Sequence, residues 1–103
     1  MKKPDEKIIA HVDPDLSDLI PGYLQNRRND VKTINEAIKT SNFDKIRTLG
    51  HSMQGSGGGY GFMPISKFGE AIEEAAKLKD ISKIEKQLDG LSDFLERVTL
   101  VYD

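Results

Sequence analysis

From Ile81 to Tyr102, apolar residues return every three or four positions: Ile81, Ile84, Leu88, Leu91, Phe94 with Leu95, Val98, and Val101 with Tyr102. That spacing follows the 3.6-residue turn of an α-helix and gathers one apolar stripe along one side. A helix marked in this way is stabilised mainly by packing, so it needs other amphipathic helices to cover the stripe. Asp80 offers an oxygen acceptor to the free N–H groups at the start. The spacing predicts a helix from there to near the C-terminus, with Gly90 tolerated inside it.

The rest of the chain supplies the partners. Asp13-Pro14 sets an N-cap acceptor before a proline at the first helical position. It opens a short helix carrying Leu16, Leu19 and Ile20, which Pro21-Gly22 interrupts. A longer helix is predicted from about Pro21 to Thr40, with Leu24, Val31, Ile34 and Ile38 inward and Arg27 and Arg28 in its one seven-residue gap. Ser41-Asn42 gives the turn and the cap for a third helix, which runs to about Ser56. Pro64 starts a fourth, with Ile65, Phe68, Ile72, Ala75 and Ala76 inward and Glu73 and Glu74 on a solvated face. No segment alternates apolar and polar residues over strand length, so no sheet is expected. The fold class is all-α: an antiparallel up-down-up-down four-helix bundle with a short extra N-terminal helix over one end. Residues 1–12 read as a tail that Ile8, Ile9 and Val12 could fasten to the body, and residues 13–103 as the helical domain.

Composition narrows the function. A chain of 103 residues is one domain by length, and 37% hydrophobic with 31% charged residues describes a soluble globular protein. The net charge is −2 and the two signs alternate along the chain, so no basic stripe is available for nucleic acid. The absence of cysteine excludes disulfides, iron–sulfur clusters and thiolate zinc sites. Ile8-Ile9-Ala10 is too short an apolar run for a signal peptide, and no window approaches the roughly 20 apolar residues of a membrane helix. A cytoplasmic location is expected.

The third helix carries the chemistry. At about 100° per residue, Phe43, Ile46, Leu49, Gly50, Met53 and Gly57 share one side, and His51 lies about 150° from its centre, facing water. Its helix-surface neighbours are Arg47, Thr48, Gln54 and Gly55, at offsets of three and four. Glycine costs stability on an exposed helical face, so Gly55 reads as space cleared beside the imidazole. Gly50, near the stripe, fits close packing of helices. Gly57 to Met63 is expected to leave the helix, because three consecutive glycines each cost about 1 kcal/mol relative to alanine.

Imidazoles as a class titrate near pH 6.5, so most are neutral and nucleophilic at pH 7. One can attack a phosphoryl group and hold it as a phosphoramidate. The glycine run itself contains neither G-x-G-x-x-G nor a following Gly-Lys-Ser/Thr, which excludes a nucleotide loop. His11 lies in the tail with no partner pattern. Two histidines without a Glu-x-x-His pair exclude a di-iron bundle site, and no metal ligand set is expected.

His51-Ser-Met-Gln54-Gly55-Ser56, followed by Gly57-Gly-Gly-Tyr-Gly61-Phe62, resembles the signature of the histidine phosphotransfer (HPt) domain family. The usual form is His-x-x-Lys-Gly-Ser/Thr/Ala with a Gly-rich exit; Gln54 stands here where lysine is most common. The resemblance spans about Asp13 to Tyr102. It implies that His51 accepts a phosphoryl group from the aspartyl phosphate of a response-regulator receiver domain and passes it to another receiver. On this reading Gln54 and Gly55, with Arg47 and Thr48 on the preceding turn, border the phosphoryl group or the partner. Gln54 could donate to a phosphoryl oxygen without the charge a lysine would add, and Arg47 could supply part of that charge. Receiver domains and a hybrid sensor histidine kinase are the implied partners. The receiver brings the catalytic carboxylates, lysine and magnesium ion, so this chain is a phosphohistidine carrier with no ATP or metal site or cofactor of its own. A monomer is expected. An adaptor that docks a receiver without phosphoryl exchange is the alternative, and direct phosphorylation by a kinase's ATP-binding domain a third possibility.

Overall fold

Four helices form in a computed structural model that describes residues 6–102. They are α1 (Ile20–Lys39), α2 (Phe43–Gly57), α3 (Met63–Lys77) and α4 (Ile81–Arg97). The predicted caps close two of them. Asn42 accepts the Lys45 N–H at 3.2 Å and Asp80 accepts the Lys83 N–H at 3.1 Å. The α1–α2 and α3–α4 turns share one device. Ser41 and Lys79 each adopt φ 54°, and the N–H of the next residue, Asn42 or Asp80, returns to the carbonyl of Ala37 or Ala75.

The predicted stripes meet in one core. Leu24, Ile34, Ile46, Met53, Ile65, Ile72, Ile84, Leu88, Leu91, Phe94 and Leu95 are all buried, joined by Tyr23 and Phe62. Between Leu24 and Val31, where the apolar spacing lapses, the aliphatic stem of Arg27 fills the gap. Its guanidinium lies 4.6 Å from the Tyr23 ring centroid, and Nη1 donates to Ser56 Oγ at 3.3 Å.

Arg27 Nε also stands 2.9 Å from Asp30 Oδ2, without the alignment of a hydrogen bond. Burial raises the Asp30 carboxyl above its ordinary value of 3.8, more than Arg27 lowers it. A carboxyl raised by folding holds its proton more tightly in the folded chain. Its contribution to stability is therefore present below 3.8 and lost as pH rises through the folded value. Asp30→Asn should gain stability relative to wild type as pH climbs from that value toward neutrality. Denaturant midpoints across the range check this, and a relative loss would reverse the assignment.

The α2–α3 contact is the closest in the molecule. A Cβ on Gly50 would stand 2.8 Å from Glu73 N and Gly69 O, and one on Gly69 would stand 2.6 Å from Gln54 N and Gly50 O. Both collisions are with backbone, so neither can be relieved by turning a side chain. Gly69→Ala should therefore cost about 2–3 kcal/mol as the helices part. A thermal unfolding midpoint that rose would show that the gain in helix propensity outweighs the clash.

Five expectations are corrected. Residues 8–12 are not tail: Ile8–Val12 forms a strand, β1, while residues 1–5 of the expected tail lie outside the described residues. A small sheet exists, because Val98–Tyr102 forms β2 and pairs with β1 in parallel, Ile8 opposite Val98 and Val12 opposite Tyr102. The last helix accordingly stops at Arg97, where Val98 turns extended with ψ 129°. Val98 and Val101 match a helical stripe and a β-branched strand equally well; pairing with β1 decides between them. Arg97 secures the junction, binding Asp93 at 2.8 Å and the Glu6 carbonyl at 3.3 Å. The extra N-terminal helix shrinks to one 3₁₀ turn, Pro14–Leu16, capped by Asp13.

The glycine run is the fifth correction. Gly57 is the last residue of α2, and Gly58–Tyr60 continue as a 3₁₀ turn. The helical path ends at Gly61, with φ 90°, a region open to glycine at little cost. That turn delivers Phe62 into the core, and its N–H bonds the Gly57 carbonyl at 2.7 Å.

Candidate functional site

His51 sits on the outer side of α2, with 74% of its side chain exposed. Gly50, directly before it, sits against the α3 backbone. That approach brings one α3 side chain within reach of the imidazole. Glu73 Oε2 lies 3.1 Å and Oε1 3.3 Å from His51 Nδ1.

The expectation that Glu73 lies on a solvated face is thus corrected. Its side chain is only 12% exposed, whereas Glu74 beside it is open to water. Ile72 and Ala76 go into the core on either side, and Gly69 packs on Gln54 one turn earlier. Glu73 is therefore held at the rim of the helix contact, aimed at the ring. A carboxylate has acceptors only, so Nδ1–H must be the donor. In the neutral ring this contact favours the tautomer in which Nδ1 carries the hydrogen and Nε2 keeps its lone pair. A spacing rule on α3 alone gives no hint of this. The signal lay in two helices together, since Gly50 and Gly69 each have room only for backbone.

The remaining sequence candidates take distinct places. Gly55, one turn after His51, has nothing within 4 Å of where its Cβ would stand. Gln54 is half-buried between His51 and the α3 contact. Arg47, one turn before His51, is half-exposed, with Nη2 4.0 Å from Asp44 Oδ1. Thr48 directs its hydroxyl to its own helix, donating to the Asp44 carbonyl at 2.9 Å. The outer surface of α2 thus presents one imidazole, held at Nδ1 by Glu73, beside a clearing. Among the described residues no group of three or more His, Asp or Glu side chains could hold a metal ion.

His11 lies in β1, on the exposed side of the strand pair. None of the described helices is long and apolar enough to cross a membrane. No curated protein and no solved structure matches the chain significantly. The family model described as the Hpt domain matches residues 18–99, a span that holds all four helices and His51. The chain belongs to the Hpt domain family, whose members carry out histidine phosphotransfer in phosphorelays and interact with receiver domains.

Proposed function

We propose that His51 is the phosphoacceptor of a phosphorelay carrier. It takes a phosphoryl group from the aspartyl phosphate of one receiver domain and gives it to another. The observation that carries this reading is the exposed imidazole whose Nδ1 is engaged by Glu73, in a chain of this family.

The step follows from that geometry. The Nε2 lone pair attacks phosphorus in line with the bond to the receiver's aspartyl oxygen. As the N–P bond forms, the P–O bond breaks and its electron pair leaves on the receiver's carboxylate. The ring keeps its Nδ1 hydrogen and becomes cationic, and the carboxylate of Glu73 offsets that charge where it develops. Transfer to the next receiver is the same displacement reversed. Such chemistry asks chiefly for positioning and charge stabilisation. The magnesium ion that stabilises the phosphoryl oxygens is the receiver's on this reading. Gln54 and Arg47 border the phosphoryl group or the partner, and Thr48 steadies the preceding turn.

The same reading has a hybrid sensor histidine kinase upstream, a cytoplasmic setting and a monomeric carrier. It takes α1–α4 in up-down-up-down order, which the antiparallel contact of α2 and α3 supports: Gly50 meets Glu73 while Gly57 meets Ser66.

Incubation with a phosphorylated receiver tests the reading. Acid-labile, base-stable label is expected on the wild-type chain and none on His51→Gln, whose fold should be unchanged because the side chain is exposed. Docking without label would leave an adaptor. Label surviving in His51→Gln would move the acceptor elsewhere.

A further inference from the structure

The groove between α2 and α3, one helical turn from His51, has a charge opposite to that of the chain as a whole. Phe43, Asp44, Arg47, Ala76, Lys77 and Lys79 line a space of about 400 Å³. Three cations there face one carboxylate, on a chain whose net charge is −2. Arg47 lies four residues before His51 on α2, and Lys77 lies four residues after Glu73 on α3. Both are thus about 6 Å along their helices from the reacting pair.

These cations are weakly held by the protein itself. Arg47 meets Asp44 only at 4.0 Å, and Asp44 is 96% exposed. Lys77 reaches Glu74 at 3.3 Å, both side chains being about half-exposed. Lys79 has no ion pair among the described residues. Exposed pairs of this kind contribute about 0–1 kcal/mol, so a partner's carboxylates can replace them. The frame beneath is rigid. Phe43 and Ala76 form an apolar floor, α2 and α3 touch through backbone, and Lys79 occupies the left-handed turn position.

We propose that this groove docks an acidic surface patch of the partner receiver and orients its active site over His51. The proposal rests on the phosphotransfer reading above. On this proposal the cations serve the partner and not the phosphoryl group: the groove they line does not include His51, whose Nδ1 is taken by Glu73 on the α3 side. Positive potential facing an acidic partner's approach would raise its encounter rate and fix its register.

The test compares the full-length wild-type chain with Lys77→Glu/Lys79→Glu. The probes are a phosphorylated receiver domain that transfers to wild type and phosphoramidate, a donor too small to reach the groove while reacting at His51. Transfer from the receiver to wild type should slow as ionic strength rises. The double variant should be slower by about tenfold at low salt, with most of the salt dependence gone, while its labelling by phosphoramidate and its melting temperature stay at wild-type values. An unchanged receiver rate and salt dependence would overturn the proposal. So would equal losses with receiver and phosphoramidate, since the lysines would then act on the phosphoryl group or the fold. If wild type itself takes label from neither donor, the phosphotransfer reading has failed, an outcome distinct from failure of the groove alone.

Discussion

Glu73→Ala is expected to slow phosphoryl transfer to His51 by on the order of a hundredfold, at the lower end of what a positioned acid–base group contributes. Two losses add up. Without an acceptor at 3.1 Å from Nδ1, the ring divides between tautomers and rotamers, so Nε2 is free and aimed for less of the time. The positive charge that develops as the N–P bond forms also loses its carboxylate. A hundredfold corresponds to about 2.7 kcal/mol of barrier. Glu73→Gln separates the two contributions, since its amide oxygen still accepts from Nδ1–H but carries no charge. Its rate should fall between those of Glu73→Ala and wild type, with phosphoramidate and a receiver both as donors. A Glu73→Ala rate equal to wild type would reduce the contact to a surface ion pair.

Gly55→Gln is expected to cost about as much, by a different route and with only one donor. The position is open to water, so the larger side chain should leave the isolated fold intact. Gly55→Ala should even stabilise it by up to about 1 kcal/mol, because glycine is the poorer helix former. That is opposite in sign to the effect of the same change at Gly69, where backbone fills the space. Bulk at 55 nevertheless stands one turn from His51, where a receiver must bring its aspartyl phosphate within bonding distance. A misplacement of about 1 Å can cost on the order of a hundredfold. Transfer from a receiver should collapse while phosphoramidate labelling survives. Wild-type transfer by Gly55→Gln would mean that glycine serves only the exit of the helix.

These two residues mark the reach of the sequence. His51 and Gly55 were legible because each depends on one helix: the wheel of α2 puts both outside, and the core stripe confirms the wheel. Glu73 was not. Its place depends on which turn of α3 stands opposite Gly50, and that depends on the 3₁₀ turn at Gly58–Tyr60 prolonging the path of α2. The terminal strands were hidden for a related reason. Ile8 and Val98 lie 90 positions apart, and neither IIAHV nor VTLVY alternates in polarity, so only the pairing itself selects strand over helix or tail. Arg27, with Arg28, reads as a gap in a stripe because a guanidinium over Tyr23 buries its stem without an apolar letter in the sequence.

The central claim is that Glu73 holds Nδ1 so that Nε2 of His51 takes the phosphoryl group. NMR of the ¹⁵N-histidine-labelled, phosphorylated chain addresses it directly, through the two-bond proton–nitrogen couplings of the ring. The account predicts a single phosphohistidine, at His51, phosphorylated on Nε2 with Nδ1 bearing a hydrogen. Phosphorus on Nδ1, or on His11, would contradict it.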